Sequence, residues 1–326
     1  MENGLSDSGY YPAEHFISKS MDSDAPIFLT GFARSGTTWV NHLFRDYFDA
    51  GFVNEGQFIV SFGLHLHRYE NLKEPGNHRR LMRDLAKDRF FSILRRNYAI
   101  EIDWGRVGAV KPEFPAIVRE VLRQIAEGLG KHRIGSKYPV FGRYMDLMNT
   151  LFPDCRVVHV IRDGRDCALS HKRMTWGHQN TYSAAVHWRD YLRTLRSSAE
   201  KLPGRYLEIR YEDLLLNPES TMQILEHFVT GTHQDFATRR FLEKRGSLKP
   251  DKVGQWRRAM SPHSQAVFEA VAGDTLREYG YSLIGEKHYL SSLSRAGCII
   301  HDRVSREAWH WARKIVPKIP EHKPWS

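Results

Sequence analysis

Gly31-Phe32-Ala33-Arg34-Ser35-Gly36-Thr37-Thr38 is the stretch on which the reading of this chain turns. Ala25-Pro26-Ile27-Phe28-Leu29-Thr30, an apolar run with the length of a buried β-strand, precedes it, and Trp39-Val40-Asn41-His42-Leu43-Phe44 continues from it as the start of a helix. Strand, glycine loop and helix in that order make a cradle for an anion. Successive backbone N–H groups and the positive end of the helix converge on it. The two glycines keep the spacing G-x-x-x-x-G, yet Thr37 stands where a nucleotide-triphosphate loop carries Lys. The cation sits inside the loop, as Arg34. Such a loop is poorly suited to a β/γ-phosphate with Mg²⁺ and well suited to a 5′-phosphate with one cation beside a neighbouring group.

The alternation continues downstream. Cys155-Arg156-Val157-Val158-His159-Val160-Ile161 is a near-continuous apolar strand of the kind found in a parallel sheet covered on both faces. A polar loop, Arg162-Asp163-Gly164-Arg165, follows and opens a helix from about Asp166, so this strand end forms a second anion site at the carboxyl edge of the sheet. Arg162 offers the two parallel donors that grip a phosphate. Ser170, eight residues on, stands about two helical turns along. Further strands are expected at 51–54, ending at Glu55, and at 134–137 and 206–210. Helices are expected at 37–48, 77–95, 115–129, 140–151, 182–195 and 219–228, with Trp104–Gly108 as a loop. Strands alternating with helices predict an α/β fold: three layers, P-loop-like, with a central parallel sheet flanked by helices. His159 and the cysteines Cys155 and Cys167 are expected in the core.

The two motifs, in this order, resemble those of the sulfotransferases that use 3′-phosphoadenosine 5′-phosphosulfate (PAPS). Arg-Ser-Gly-Thr-Thr after a strand resembles the family's 5′-phosphosulfate loop, which implies donor contacts from Arg34, Ser35, Gly36, Thr37 and Thr38. Arg162 and Ser170 match its 3′-phosphate motif. Gly135-Ser136-Lys137-Tyr138-Pro139, Arg210-Tyr211-Glu212-Asp213-Leu214 and Lys252-Val253-Gly254-Gln255-Trp256-Arg257 resemble further family elements, the last a loop that closes over the nucleotide. Tyr211 enters the donor site on that ground. Some members carry Arg-Lys-Gly before the closing loop. Here Lys249-Pro250-Asp251 occupies that place, which leaves Lys249, Lys252 and Arg257 as alternatives for the third phosphate contact. The pattern is most similar to bacterial-type and tyrosylprotein-type members and extends from about 25 to 282.

Sulfuryl transfer requires a base for the acceptor proton and cations for the charge that develops on the sulfuryl and bridging oxygens. The resemblance implies Glu55 as the base, with His65 and His67 as competitors. It also implies Lys137 at the sulfuryl oxygens, Arg34 at the bridging oxygen, and Ser247 as a further sulfuryl contact. The reaction needs no metal, and the histidines show no metal-ligand spacing. The alternative is a P-loop nucleotide kinase or NTPase-like enzyme. The missing loop Lys and the lack of a strand-end Asp for Mg²⁺ tell against it.

The bulk composition bounds the rest. The chain has 326 residues, 41% hydrophobic, and a formal net charge of +10. That charge points to anionic partners. No compact basic stripe or reading module for nucleic acid is present, so an anionic cosubstrate is the simpler account. No apolar run approaches the ~18 residues of a membrane span. Three scattered cysteines and a polar, acidic N-terminus predict a cytoplasmic setting without a secretory signal. The expected organisation is a loosely ordered leader at 1–24, a catalytic domain at 25–285 and a basic, aromatic tail at 286–326 that packs on the domain. Within the domain, 56–132 is read as a helical insertion that walls an acceptor pocket. A membrane-surface or partner-binding helix is the alternative for the tail, whose Ala308, Trp309, Ala312, Ile315 and Val316 make one apolar face. The acceptor is expected to be a small molecule or glycan. Its identity and the oligomeric state are not encoded in any motif.

Overall fold

β1 (Ile27–Thr30) is buried along its whole length, as its unbroken apolar run requires. It lies at the centre of a five-stranded sheet with β2 (Ala50–Gly51), β3 (Arg133–Lys137), β4 (Arg156–Ile161) and β5 (Tyr206–Arg210), in the order β2-β3-β1-β4-β5. All pairings are parallel. The computed structural model describes residues 25–174, 176–232, 234–244, 250–284 and 291–315. The chain forms two units, residues 1–161 with 193–250, and residues 162–192 with 251–326.

The first unit holds the sheet. α1 (Thr37–Tyr47) leaves the β1 loop and buries Val40, Leu43 and Phe44. These join Phe48, Phe52, Val158, Val160, Leu207 and Ile209 in one apolar cluster. The spacing of Val40, Leu43 and Phe44 is one face of a helix. Five helices separate β2 from β3: α2 (Gln57–Gly63), α3 (Pro75–Ala86), α4 (Arg89–Tyr98), α5 (Trp104–Ala109) and α6 (Phe114–Gly128). α7 (Met145–Leu151) precedes β4, and α10 (Tyr211–Leu216), α11 (Pro218–Thr230) and α12 (Phe236–Glu243) follow β5. Register is specific at the carboxyl edge. Leu29 stands opposite Lys137, and Thr30 stands opposite His159.

The second unit contains α8 (Gly164–Lys172), the N-terminal part of α9 (Thr181–Ala199), α13 (Trp256–Ala259), α14 (Pro262–Glu278) and α15 (Ser292–Ile315). Its core is built on a buried cation. Arg165 donates to Asp163 and Glu269 at 2.7–3.0 Å and to the Ser282 carbonyl at 2.9 Å. Its guanidinium stacks 3.5 Å from the Trp256 ring centroid. Each guanidinium nitrogen has an acceptor, which is what makes so deep a charge tolerable.

Several local expectations are corrected. Trp104–Gly108 is helical, because Asp103 caps α5 by accepting from the Gly105 and Arg106 amides. The helix expected at 77–95 is two helices, since Asp88 caps α4 by accepting from Phe90 N–H. The segment 140–151 begins as a 3₁₀ turn at Pro139–Arg143, held where Gly142 N–H donates to Thr30 Oγ1. The strand expected at 51–54 lies earlier and is shorter, as β2 at Ala50–Gly51, with a lone bridge between Asn54 and Lys137 beyond it. His159 is fully buried, its Nδ1 2.8 Å from Tyr206 Oη and 3.3 Å from Glu208. Cys155 and Cys167 are buried too, and burial pushes the Cys155 thiol up to about 12. The expected leader lies outside the described residues. So do Val316 and the side chains of Ala308, Trp309, Ala312 and Ile315.

Candidate active site

The loop after β1 is shaped by two left-handed residues, Arg34 at φ 72° and Gly36 at φ 97°. Left-handed residues on both sides of Ser35 turn successive amides to one side, the geometry of an anion nest. Gly36 is the N-cap of α1, and no side chain caps that helix end. Its glycine is obligatory for two reasons. Its φ disfavours any side chain, and a Cβ there would lie 2.4 Å from the Tyr211 ring. Tyr211 also packs edge-on against Trp39, with ring centroids 5.7 Å apart. Ser35 is fully buried, and its hydroxyl has no hydrogen-bond partner among the described residues. A buried hydroxyl without a partner costs about 1–3 kcal/mol, a cost that a bound acceptor or donor atom would offset. Orphan hydroxyl, uncapped helix end and Arg34 together suit a phosphate or sulfate oxygen.

Replacing Gly36 tests the cradle directly. Gly36→Ala is expected to cost on the order of 1–3 kcal/mol from backbone strain alone, and more from the Tyr211 contact. A thermal melt of the purified variant reads this loss. An unchanged melting temperature would overturn both the strain at Gly36 and the clash with the Tyr211 ring.

Beside this loop stands an ion pair. Lys137 closes β3, next to the end of β1, and its Nζ donates to Glu55 Oε1 at 2.9 Å. The pair is asymmetric: the Lys137 side chain is 3% exposed and that of Glu55 52%. The lysine is thus fixed by the sheet and the carboxylate faces outward. Glu55 is left-handed, φ 69°, a strained state for a residue with a side chain. It is held there because its N–H donates to the Lys137 carbonyl at 2.9 Å while Asn54 bridges the same strand. Asn54 accepts from Asn41 of α1 and donates to Tyr98 of α4, each at 3.4 Å. The Ser136 hydroxyl, buried beside Gly56, likewise has no hydrogen-bond partner among the described residues. His42, half-buried on α1, has its pKa lowered by burial first and then by Arg45, with Lys137 acting in the same direction against Asp46. His65 and His67 stand exposed in the segment after α2, and His65 Nδ1 is taken up 2.8 Å from the Ser61 carbonyl.

In the second unit, Arg162 and Asp166 organise the segment 250–257. Arg162 donates to the Lys252 carbonyl at 2.8 Å and to Asp166 at 3.2 Å. Asp166, with no exposed side-chain surface, accepts the Gly254 and Trp256 amides at 3.1 and 2.8 Å. Burial raises the Asp166 carboxyl above its ordinary value, against the Arg162 charge and the Trp256 amide, which lower it. Ser170 is half-buried on α8, two turns after Arg162. Arg257 Nη2 donates to Ser282 Oγ at 3.2 Å, and Lys252 is exposed. Ser247 and Lys249 lie outside the described residues. The sequence marks Asp166 only as the approximate start of a helix. The available signal was its place four residues after Arg162, one turn of helix on.

Asp166→Asn is expected to loosen this segment, because one carboxylate oxygen that accepts from Gly254 N–H and Arg162 becomes a donor. The loss of a charge-assisted contact is worth about 1.5–3 kcal/mol. Hydrogen exchange at the Gly254 and Trp256 amides is expected to quicken accordingly. Unchanged protection would show that the segment is held from elsewhere.

Among the described residues no group of three or more His, Cys, Asp or Glu side chains could hold a metal ion, and no helix is long and apolar enough to cross a membrane.

The sequence pattern of the sulfotransferase family matches residues 26–235. The chain belongs to the sulfotransferase family. The sulfotransferase domain from the Synechococcus PCC 7002 olefin synthase superposes with a TM-score of 0.51 at 18% identity, over 82% of this chain and 99% of that one. The sulfotransferase domain from the curacin biosynthetic pathway gives a TM-score of 0.48 at 14% identity, over 80% and 99%. The first of these likenesses bears on the fold, which is the three-layer, P-loop-like α/β arrangement. No curated protein sequence matches the chain.

Proposed function

We propose that this transferase moves a sulfuryl group from PAPS to a hydroxyl or amine of a small-molecule or glycan acceptor, with Glu55 as the base. The observation that carries the reading is the cradle around Ser35 with the Lys137–Glu55 pair beside it: an anion site lacking the triphosphate lysine, flanked by a buried cation and an outward carboxylate. When bound, PAPS supplies an activated sulfuryl group whose leaving group is the 5′-phosphate of adenosine 3′,5′-bisphosphate (PAP). The residues of the loop, Arg34 to Thr38, hold that phosphate through amides and hydroxyls, with the Tyr211 ring backing Gly36. Arg34 neutralises charge on the bridging oxygen and Lys137 on the sulfuryl oxygens, contributions that are largest in a site closed to water. Arg162 and Ser170 are assigned to the 3′-phosphate, with Lys249, Lys252 or Arg257 completing it and Ser247 assigned to the sulfuryl group. Glu55 takes the acceptor proton. Its half-exposed carboxylate leaves room for an acceptor hydroxyl, while Lys137 fixes one of its oxygens.

Calorimetry on the purified protein tests the cosubstrate. PAP is expected to bind without metal and far more tightly than ATP, with or without Mg²⁺. Preference for Mg²⁺–ATP would overturn the reading in favour of a kinase-like enzyme.

A further inference from the structure

α15 (Ser292–Ile315) lies on the second unit with the wrong face inward. Its inward row is Cys298, Asp302 and Ser305, at helical spacing. Asp302, 5% exposed, accepts from Gln179 N–H at 2.7 Å and sits 3.3 Å from His178 Nδ1. Asn180 donates to the Cys298 carbonyl at 2.7 Å. The helix is therefore docked through polar groups. Its apolar row faces the other way: Leu293 is 86% exposed, Ile300 63% and Val304 61%, with Ala296 also exposed on the same stripe and Ile299, at 55%, at its margin. A helix on a globular protein normally buries such a stripe, and a contiguous exposed one marks a contact site.

Charge selects the occupant. Exposed Arg295 and Arg303 stand on this helix, and across Ser292–Ile315 the sequence has Arg295, Arg303, Arg306, Arg313 and Lys314 against Asp302 and Glu307. A second copy would bring the same cations and the same net charge of +10 to the contact, so like charge opposes self-association. An exposed apolar row on a helix whose cations outnumber its acids, in a sequence that continues through Trp309 and Trp311, is the pattern of a helix that lies in the plane of a membrane interface. We propose that α15 docks this chain on the surface of a bilayer containing anionic lipids, without crossing it.

The test uses the full chain and vesicles of phosphatidylcholine with and without phosphatidylglycerol, in a sedimentation assay. Binding is expected only to the vesicles containing phosphatidylglycerol and is expected to weaken with salt. The double substitution I300D/V304D, at exposed positions, is expected to keep the melting temperature and to lower partitioning by about 10-fold or more. Three results would each overturn the proposal. One is no binding to the phosphatidylglycerol vesicles. The second is equal binding by the substituted chain, which would assign attraction to the basic surface at large. The third is a wild-type dimer that the substitutions dissociate, which would assign the face to a second copy.

Discussion

Glu55→Gln is expected to lower turnover by at least ~10²-fold while leaving PAP affinity unchanged. The substitution is chosen for what it keeps. An amide oxygen still accepts from Lys137 Nζ, the donor that lies 2.9 Å from Glu55 Oε1. The side chain keeps its size, and the left-handed backbone at φ 69° is no harder for Gln than for Glu. What is lost is basicity. If Glu55 removes the acceptor proton, the chemical step slows and donor binding, which rests on the loop and the 3′-phosphate residues, does not change. Steady-state kcat with calorimetric PAP affinity separates the two. Near-full activity would remove Glu55 as the base and turn attention to His42, the half-buried imidazole on which Lys137 also acts. A large loss of PAP affinity would mean instead that the carboxylate serves to position Lys137.

How much of this was legible before folding follows from how local each feature is. The cradle was readable because strand, glycine loop and helix are consecutive in sequence and Gly36 is needed for its φ. The core run of β4 was readable for the same reason. The Glu55–Lys137 contact was not. It joins residues 82 apart and depends on β3 lying beside β1 with Leu29 opposite Lys137. Periodicity announces that Lys137 ends a strand without saying which strand is its neighbour. The left-handed state of Glu55 left no trace, since Glu, unlike Gly, Asn or Asp, does not favour that conformation. Asp166 failed in a third way. Its i+4 relation to Arg162 is plain in the sequence, yet its partners Gly254 and Trp256 lie 88 and 90 residues on, and only the fold supplies them. The helix α5 stands where a loop is expected at Trp104–Gly108, because the capping residue Asp103 just ahead of it accepts the Gly105 and Arg106 amides.

Arg162→Ala is expected to weaken PAP binding by about 1.5–3 kcal/mol, the worth of a charge-assisted contact. That corresponds to one to two powers of ten in Kd. A second ligand is needed, because Arg162 already donates to the Lys252 carbonyl and to Asp166. Removing it loosens the segment 250–257 whether or not it ever meets a phosphate. Adenosine 5′-phosphate, which lacks the 3′-phosphate, separates the roles. If Arg162 grips the 3′-phosphate, PAP affinity falls toward that of adenosine 5′-phosphate, and the latter barely changes. If its work is to fasten the segment, both ligands weaken together, and Asp166→Asn reproduces the effect. Unchanged PAP affinity would remove Arg162 from the 3′-phosphate site altogether. The expected selective loss follows from chemistry. A guanidinium offers two parallel donors that suit a phosphate dianion better than a carbonyl. With the phosphate present, the planar group gains a stronger partner than the Lys252 carbonyl, while Asp166 keeps the Gly254 and Trp256 amides.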